Sequence, residues 1–208
     1  VGGAWRALAR IHMEQAGYPL HVIQQYTLSR GRAEDFLDLV AHQSRKSLEK
    51  IPAVSRKRME TVPFAARMLH RLLKRTQPKR LIFSAYGLRE GHLYSLLDEE
   101  EQLKDPLLAG AEAMAASRRR FGADGDELFQ WMEPLYRDDT AGHRRLRHAA
   151  ALLSDIAWAE HPDYRAEQAL RMTLFAPIAG LEHRERAFLA ATLHARYGGN
   201  DPGDIVRR

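Results

Sequence analysis

The chain has 208 residues, 45% apolar and 28% charged, enough for one domain or two small ones with a real core and too apolar for wholesale disorder. It has no cysteine, which excludes a disulfide scaffold, a thiol nucleophile and any thiolate metal site, and no run approaches the roughly 18 apolar residues that span a bilayer. The net charge of +5 is uneven: residues 1–97 carry 17 Lys+Arg against 7 Asp+Glu, and residues 98–208 carry 15 against 20. A basic half joined to an acidic half predicts two units, the first of which attracts polyanions. Specific nucleic-acid readout is not expected, because the chain has no aromatic-studded RNA-binding motif and cannot form a Cys/His finger.

The chain opens Val1-Gly2-Gly3, without a start methionine, which predicts a piece of a longer protein. Residues 4–16 place Leu8, Ile11 and His12 at helical spacing, and Gly17 is a stop signal. Residues 21–28 (HVIQQYTL) are rich in β-formers and predict a strand. Residues 29–50 read as one amphipathic helix with Phe36, Leu37, Val40 and Leu48 on one side, ended by Pro52. Residues 61–76 predict a helix with Pro63 in its first turn and Phe64, Met68 and Leu72 as an inward row. The apolar run Leu81-Ile82-Phe83-Ser84-Ala85 predicts a buried parallel strand, followed by a turn into a helix over 89–97.

The acidic run Asp98-Glu99-Glu100-Glu101 and Asp105-Pro106 mark a boundary. Beyond it the pattern is helical throughout, near 106–121, 126–136, 142–159, 163–174 and 182–197, with Asp105, Asp124 and Thr140 as caps. The expected fold class is therefore α/β plus all-α, divided at 97/98.

Three constellations could carry chemistry. Gly2-Gly3-Ala4 lets backbone amides approach an anion and leads into a helix N-terminus, the recipe for a phosphate loop, although a diglycine before a helix also serves as a plain turn. Gly87-Leu88-Arg89-Glu90-Gly91 lies at the carboxyl end of the second strand, where α/β sheets gather ligands. Arg89 offers a fork for phosphate, or pairs with Glu90 to fix the turn, and the two glycines imply tight backbone there. Third, Ser154-Asp155 stands among His148, His161, Tyr164, His183, Glu185 and His194. A serine cannot replace an imidazole on a transition metal, so no metal is expected there.

Gly2–Arg10 (GGAWRALAR), residues 58–66 (RMETVPFAA) and above all residues 81–94 (LIFSAYGLREGHLY), followed by Asp105-Pro106-Leu107, resemble the exopolyphosphatase/guanosine pentaphosphate phosphohydrolase (Ppx/GppA) family. The resemblance implies that residues 1–97 are the C-terminal part of a second actin-like (sugar kinase/Hsp70-type) lobe and that residues 98–208 are a helical, degenerate HD-like domain. It implies a cytoplasmic, homodimeric hydrolase, without membrane attachment, that releases orthophosphate from polyphosphate or guanosine pentaphosphate with Mg²⁺. It places phosphate binding at Gly2, Gly3, Ala4 and Arg89, and a structural or binding turn at Gly87, Glu90 and Gly91. The family's catalytic acid and first-lobe loop match no residue here, so this polypeptide alone is expected to be inactive and to hold no metal. Trp5-Arg6 stand where the family often has small hydroxyl residues. A polyanion-binding or dimerisation module, and an actin-like nucleotide-binding lobe of other chemistry, are the alternatives.

Overall fold

The computed structural model describes residues 2–48, 60–118, 124–203 and 206. The predicted helix ends at 49–50 and 119–121, with Pro52, Arg58-Met59, Gly122 and Arg207-Arg208, lie outside them. The chain divides into two compact units, Val1–Leu96 and Leu97–Arg208.

The first unit runs α1 (Gly2–Gln15), β1 (Tyr26–Ser29), α2 (Arg30–Ala41), a single turn α3 (Arg45–Leu48), α4 (Val62–Thr76), β2 (Arg80–Phe83) and α5 (Leu88–Ser95). Leu8, Ile11 and Met13 of α1, Phe36, Leu37 and Val40 of α2, and Leu69 and Leu73 of α4 close one core over Tyr26, Leu28 and Phe83. Each of these large side chains, fully buried, contributes about 1.5–3 kcal/mol against leaving it in water.

Four expectations need correction here. The strands pair antiparallel, with Tyr26 opposite Phe83 and Ser29 opposite Arg80. The return is not a single crossover helix: among the described residues α2, α3 and α4 all lie between β1 and β2, with α2 packed on α4. The first strand is only four residues long, because Gln25 adopts a left-handed φ of 65° just before it. The long second helix breaks at His42–Ser44, where the Ser44 hydroxyl accepts the Ser47 N–H and opens α3. Finally, α4 turns Val62, Ala66, Leu69 and Leu73 inward and leaves Phe64 70% and Met68 60% exposed. Both rows have helical spacing, and the small Ala66 lets α4 approach α1 and α2 closely.

Among its described residues the second unit's regular elements are all helices: α6 (Glu99–Leu103), α7 (Pro106–Ala116), α8 (Gly125–Met132), α9 (Ala141–Leu152), α10 (Arg165–Leu174) and α11 (His183–Arg196). Short 3₁₀ turns, Glu133–Leu135 and Pro162–Tyr164, extend α8 and precede α10. The three predicted caps are formed. Asp105 accepts from the Leu107 and Leu108 amides, Asp124 from Asp126, and Thr140 from His143. Leu107, Ala111, Leu146, Leu153, Ile178, Leu189 and Leu193 fill the core. Gly125 is needed where α8 starts, because a Cβ there would stand 2.5 Å from the Leu152 Cα. Arg186 is fully buried, and its guanidinium donates to the carbonyls of Thr173, Leu174, Ala176 and Ile178.

Candidate functional site

The first unit's site forms where β2 ends. Phe83 is buried and anchors the strand, and the chain then leaves the sheet through Ser84, Ala85 and Tyr86, all exposed. This exit is fixed by side chains from elsewhere in the unit. The Gln24 side-chain oxygen accepts from the Ala85 N–H at 2.8 Å and from the Ser84 hydroxyl at 3.2 Å. The Ser84 hydroxyl accepts from the Tyr86 N–H at 3.0 Å. Arg6 donates to the Ala85 carbonyl at 3.0 Å.

Arg6 ties two of the predicted constellations together. It lies in α1, one turn beyond Gly2-Gly3, so its bond to Ala85 brings the start of α1 against the exit of β2. Its other guanidinium nitrogen lies 3.6 Å from where a Cβ on Gly87 would stand. Gly2, Gly3 and Ala4 are the opening residues of α1 itself and not a loop ahead of it, which corrects the expected helix start. The first N–H groups of a helix have no partner within it, and no acidic side chain stands in this turn to take them. Gly3 and Ala4 are half-buried.

Glu90 does not pair with Arg89. Its carboxylate accepts the Gly87 N–H at 2.6 Å, closing the N-terminus of α5. That backbone bond, helped by the charges of Arg89 and Arg6, holds the Glu90 carboxyl below the ordinary carboxylate range. The Gly87 amide is thus engaged by the protein's own carboxylate, whereas Arg89 is exposed in the first turn of α5. Of the two glycines, Gly91 is less constrained than expected, since a Cβ there would meet nothing within 4 Å among the described residues, whereas Gly87 has an extended φ of −125° and a Cβ there would stand 3.3 Å from the Glu90 Oε2.

The third constellation disperses. Asp155 faces Arg196 at 3.6 Å. His148 meets Asp126 at 2.6 Å and stacks on Phe129. His161 accepts the Asp163 N–H, and Glu185 accepts the Glu182 N–H. His183 and His194 are buried in α11, and Tyr164 is exposed. Among the described residues, no three His, Asp or Glu side chains come together as a set able to hold a metal ion.

The sequence model of the Ppx/GppA phosphatase family matches residues 1–100, and that of the exopolyphosphatase C-terminal domain matches residues 107–206. The chain belongs to the Ppx/GppA family. Among curated proteins it is similar to retrograde regulation protein 2 of Saccharomyces cerevisiae, 30% identical over 213 aligned positions that take in 97% of this chain and 35% of the yeast protein. The chain therefore spans about a third of the length of the curated relative it matches. Among the described residues, no helix is long and apolar enough to cross a membrane. Sequence reasoning missed Arg6 as part of the corner of this Ppx/GppA chain. A signal was available, since a cation near the start of a helix faces the positive end of the helix dipole and calls for a compensating partner.

Proposed function

We propose that this chain is the phosphate-holding and helical part of a phosphoanhydride hydrolase that releases orthophosphate from the end of inorganic polyphosphate or from guanosine pentaphosphate. The observation that carries this reading is the Arg6–Ala85 bond, which ties α1 near its Gly2-Gly3-Ala4 start to the exit of β2 that leads into Arg89. Amide N–H groups at a helix start, with a guanidinium nearby, suit a phosphate oxygen. Residues 1–97 are read as the C-terminal part of a second actin-like lobe, and residues 98–208 as a degenerate HD-like domain that forms a homodimer.

The chemistry needs more than this corner supplies. A water molecule attacking a terminal phosphorus must lose a proton to a base within hydrogen-bond reach. The carboxylate of the corner, Glu90, is engaged with the Gly87 amide. The corner's groups are donors for an anion, whereas Mg²⁺ takes oxygen ligands, so these residues do not form its site. On this reading the chain binds polyphosphate and releases no orthophosphate alone.

Calorimetric titration of the chain with short polyphosphate tests the proposal. Arg89→Gln should weaken binding about tenfold, the effect of one lost charge-assisted hydrogen bond, with the melting temperature unchanged. Wild-type affinity in that variant would remove Arg89 from the site.

A second reading, a polyanion-holding surface without chemistry, is favoured by α4. This helix carries Arg67, Arg71, Lys74 and Arg75 at exposed positions and no acidic residue. Under that reading binding falls steeply with salt and is lost on neutralising α4, and Arg89→Gln leaves it intact.

A further inference from the structure

The second unit holds a cleft of about 340 Å³, within the size range of small-molecule sites, roughly 300–1,000 Å³. It exists because α8 and α11 both pack on α9 and scarcely touch one another. Its walls are Leu128 and Met132 from α8, Leu146 and Ala150 from α9, and Phe188 and Leu193 from α11. Along α9 the lining positions 143, 146, 147, 150 and 151 recur at helical spacing, and Ser154 follows just beyond its end, so the cleft runs lengthwise over that helix.

Its two ends differ in charge. At one end the Arg147 charge is balanced by two carboxylates: it donates to Asp139 at 2.9 Å and to Glu133 at 2.8 Å, its guanidinium lies between the rings of Tyr136 and Phe129, and its remaining terminal nitrogen is buried. At the other end, beside Ser154, stands Arg196. Its side chain is 54% exposed, and its facing carboxylate, Asp155, is 3.6 Å away and only 14% exposed. That separation is longer than a hydrogen bond, so the fork keeps donors for a second anion.

We propose that this cleft binds an amphiphilic organic anion, with an unbranched apolar body lying along α9 and a single carboxylate-type head at Arg196. The apolar walls select the body, the Arg147 charge is already balanced by Asp139 and Glu133 and its remaining nitrogen is buried, and the exposed Arg196 fixes the orientation. The proposal is independent of the corner in the first unit, since every residue it uses lies in the second.

Isothermal titration of the 208-residue chain with decanoate, below its micelle concentration, and with decanol tests it. Saturable one-to-one binding of decanoate is expected. Arg196→Gln should weaken decanoate about tenfold and leave decanol unchanged. Ala150→Leu, which fills the cleft from its floor, should abolish binding of both. Thr192→Met fills it from an exposed position on α11, where folding is not at stake, and should do the same. The proposal is overturned if decanoate does not bind saturably, if Arg196→Gln affects the acid and the alcohol alike, or if Thr192→Met binds as the wild type does.

Discussion

Asp105 shows how much one side chain can bind together in the second unit. Its carboxylate caps α7 through the Leu107 and Leu108 amides and accepts two hydrogen bonds from Arg145, whose guanidinium also reaches the Gly180 carbonyl. Gly180 itself sits at a φ of 67°, where a Cβ would come 2.7 Å from the Pro106 ring, so only glycine fits. Arg145 first, then the two amides, hold the Asp105 carboxyl below the usual carboxylate range. A carboxyl lowered in the folded state stabilises fully above its unfolded pKa of about 3.9, and that stability is lost as pH falls through the lower folded value. Asp105→Asn should therefore lower stability at neutral pH and flatten the loss below about pH 4, as read by circular dichroism melts across pH. The cap was legible in the sequence, because Asp before Pro at a helix start is local chemistry. Its partnership with Arg145, forty positions away, was not.

At the scale of an element, α4 separates what periodicity can decide from what it cannot. Apolar residues lie on two of its faces, and spacing alone assigns either one to the core. The outcome follows from neighbours: the row containing Ala66 and Leu69 meets α1 and α2, and the row of Phe64, Met68 and Leu72 does not. Leu69→Ala should cost about 2–4 kcal/mol by leaving a cavity, whereas Phe64→Ser should change stability by less than about 0.5 kcal/mol. Chemical denaturation of the two variants checks this, and equal losses would contradict the packing. Pairing of β1 with β2 was likewise hidden, since strand direction depends on the path of the chain between the strands and not on the strand itself. Helix starts were the most legible elements because Asp124 and Thr140 announce them locally. The corner was half legible: the glycines and Arg89 stood out as chemistry, but the residue that joins their two segments, Arg6, reads in sequence as one more surface cation.

Across the whole molecule, the basic and acidic halves counted in sequence coincide with two units that each close a separate apolar core. The second of these cores is built around a charge. Arg186 is 0% exposed, and two of its nitrogens serve four carbonyls at and beyond the end of α10. A methionine there would match much of its volume but take the guanidinium donors from these interior carbonyls, of which Thr173 keeps the Ala176 N–H, at about 3–5 kcal/mol; a lysine lacks the fork to reach them all. Arg186→Met should therefore unfold the second unit at a markedly lower denaturant concentration, and a midpoint like that of the wild type would refute the assignment. The same four bonds couple events in time. The last turn of α10 and the link to α11 cannot loosen singly while Arg186 is seated, so amide protons from Thr173 to Ile178 and those around Arg186 should exchange with deuterium as one block.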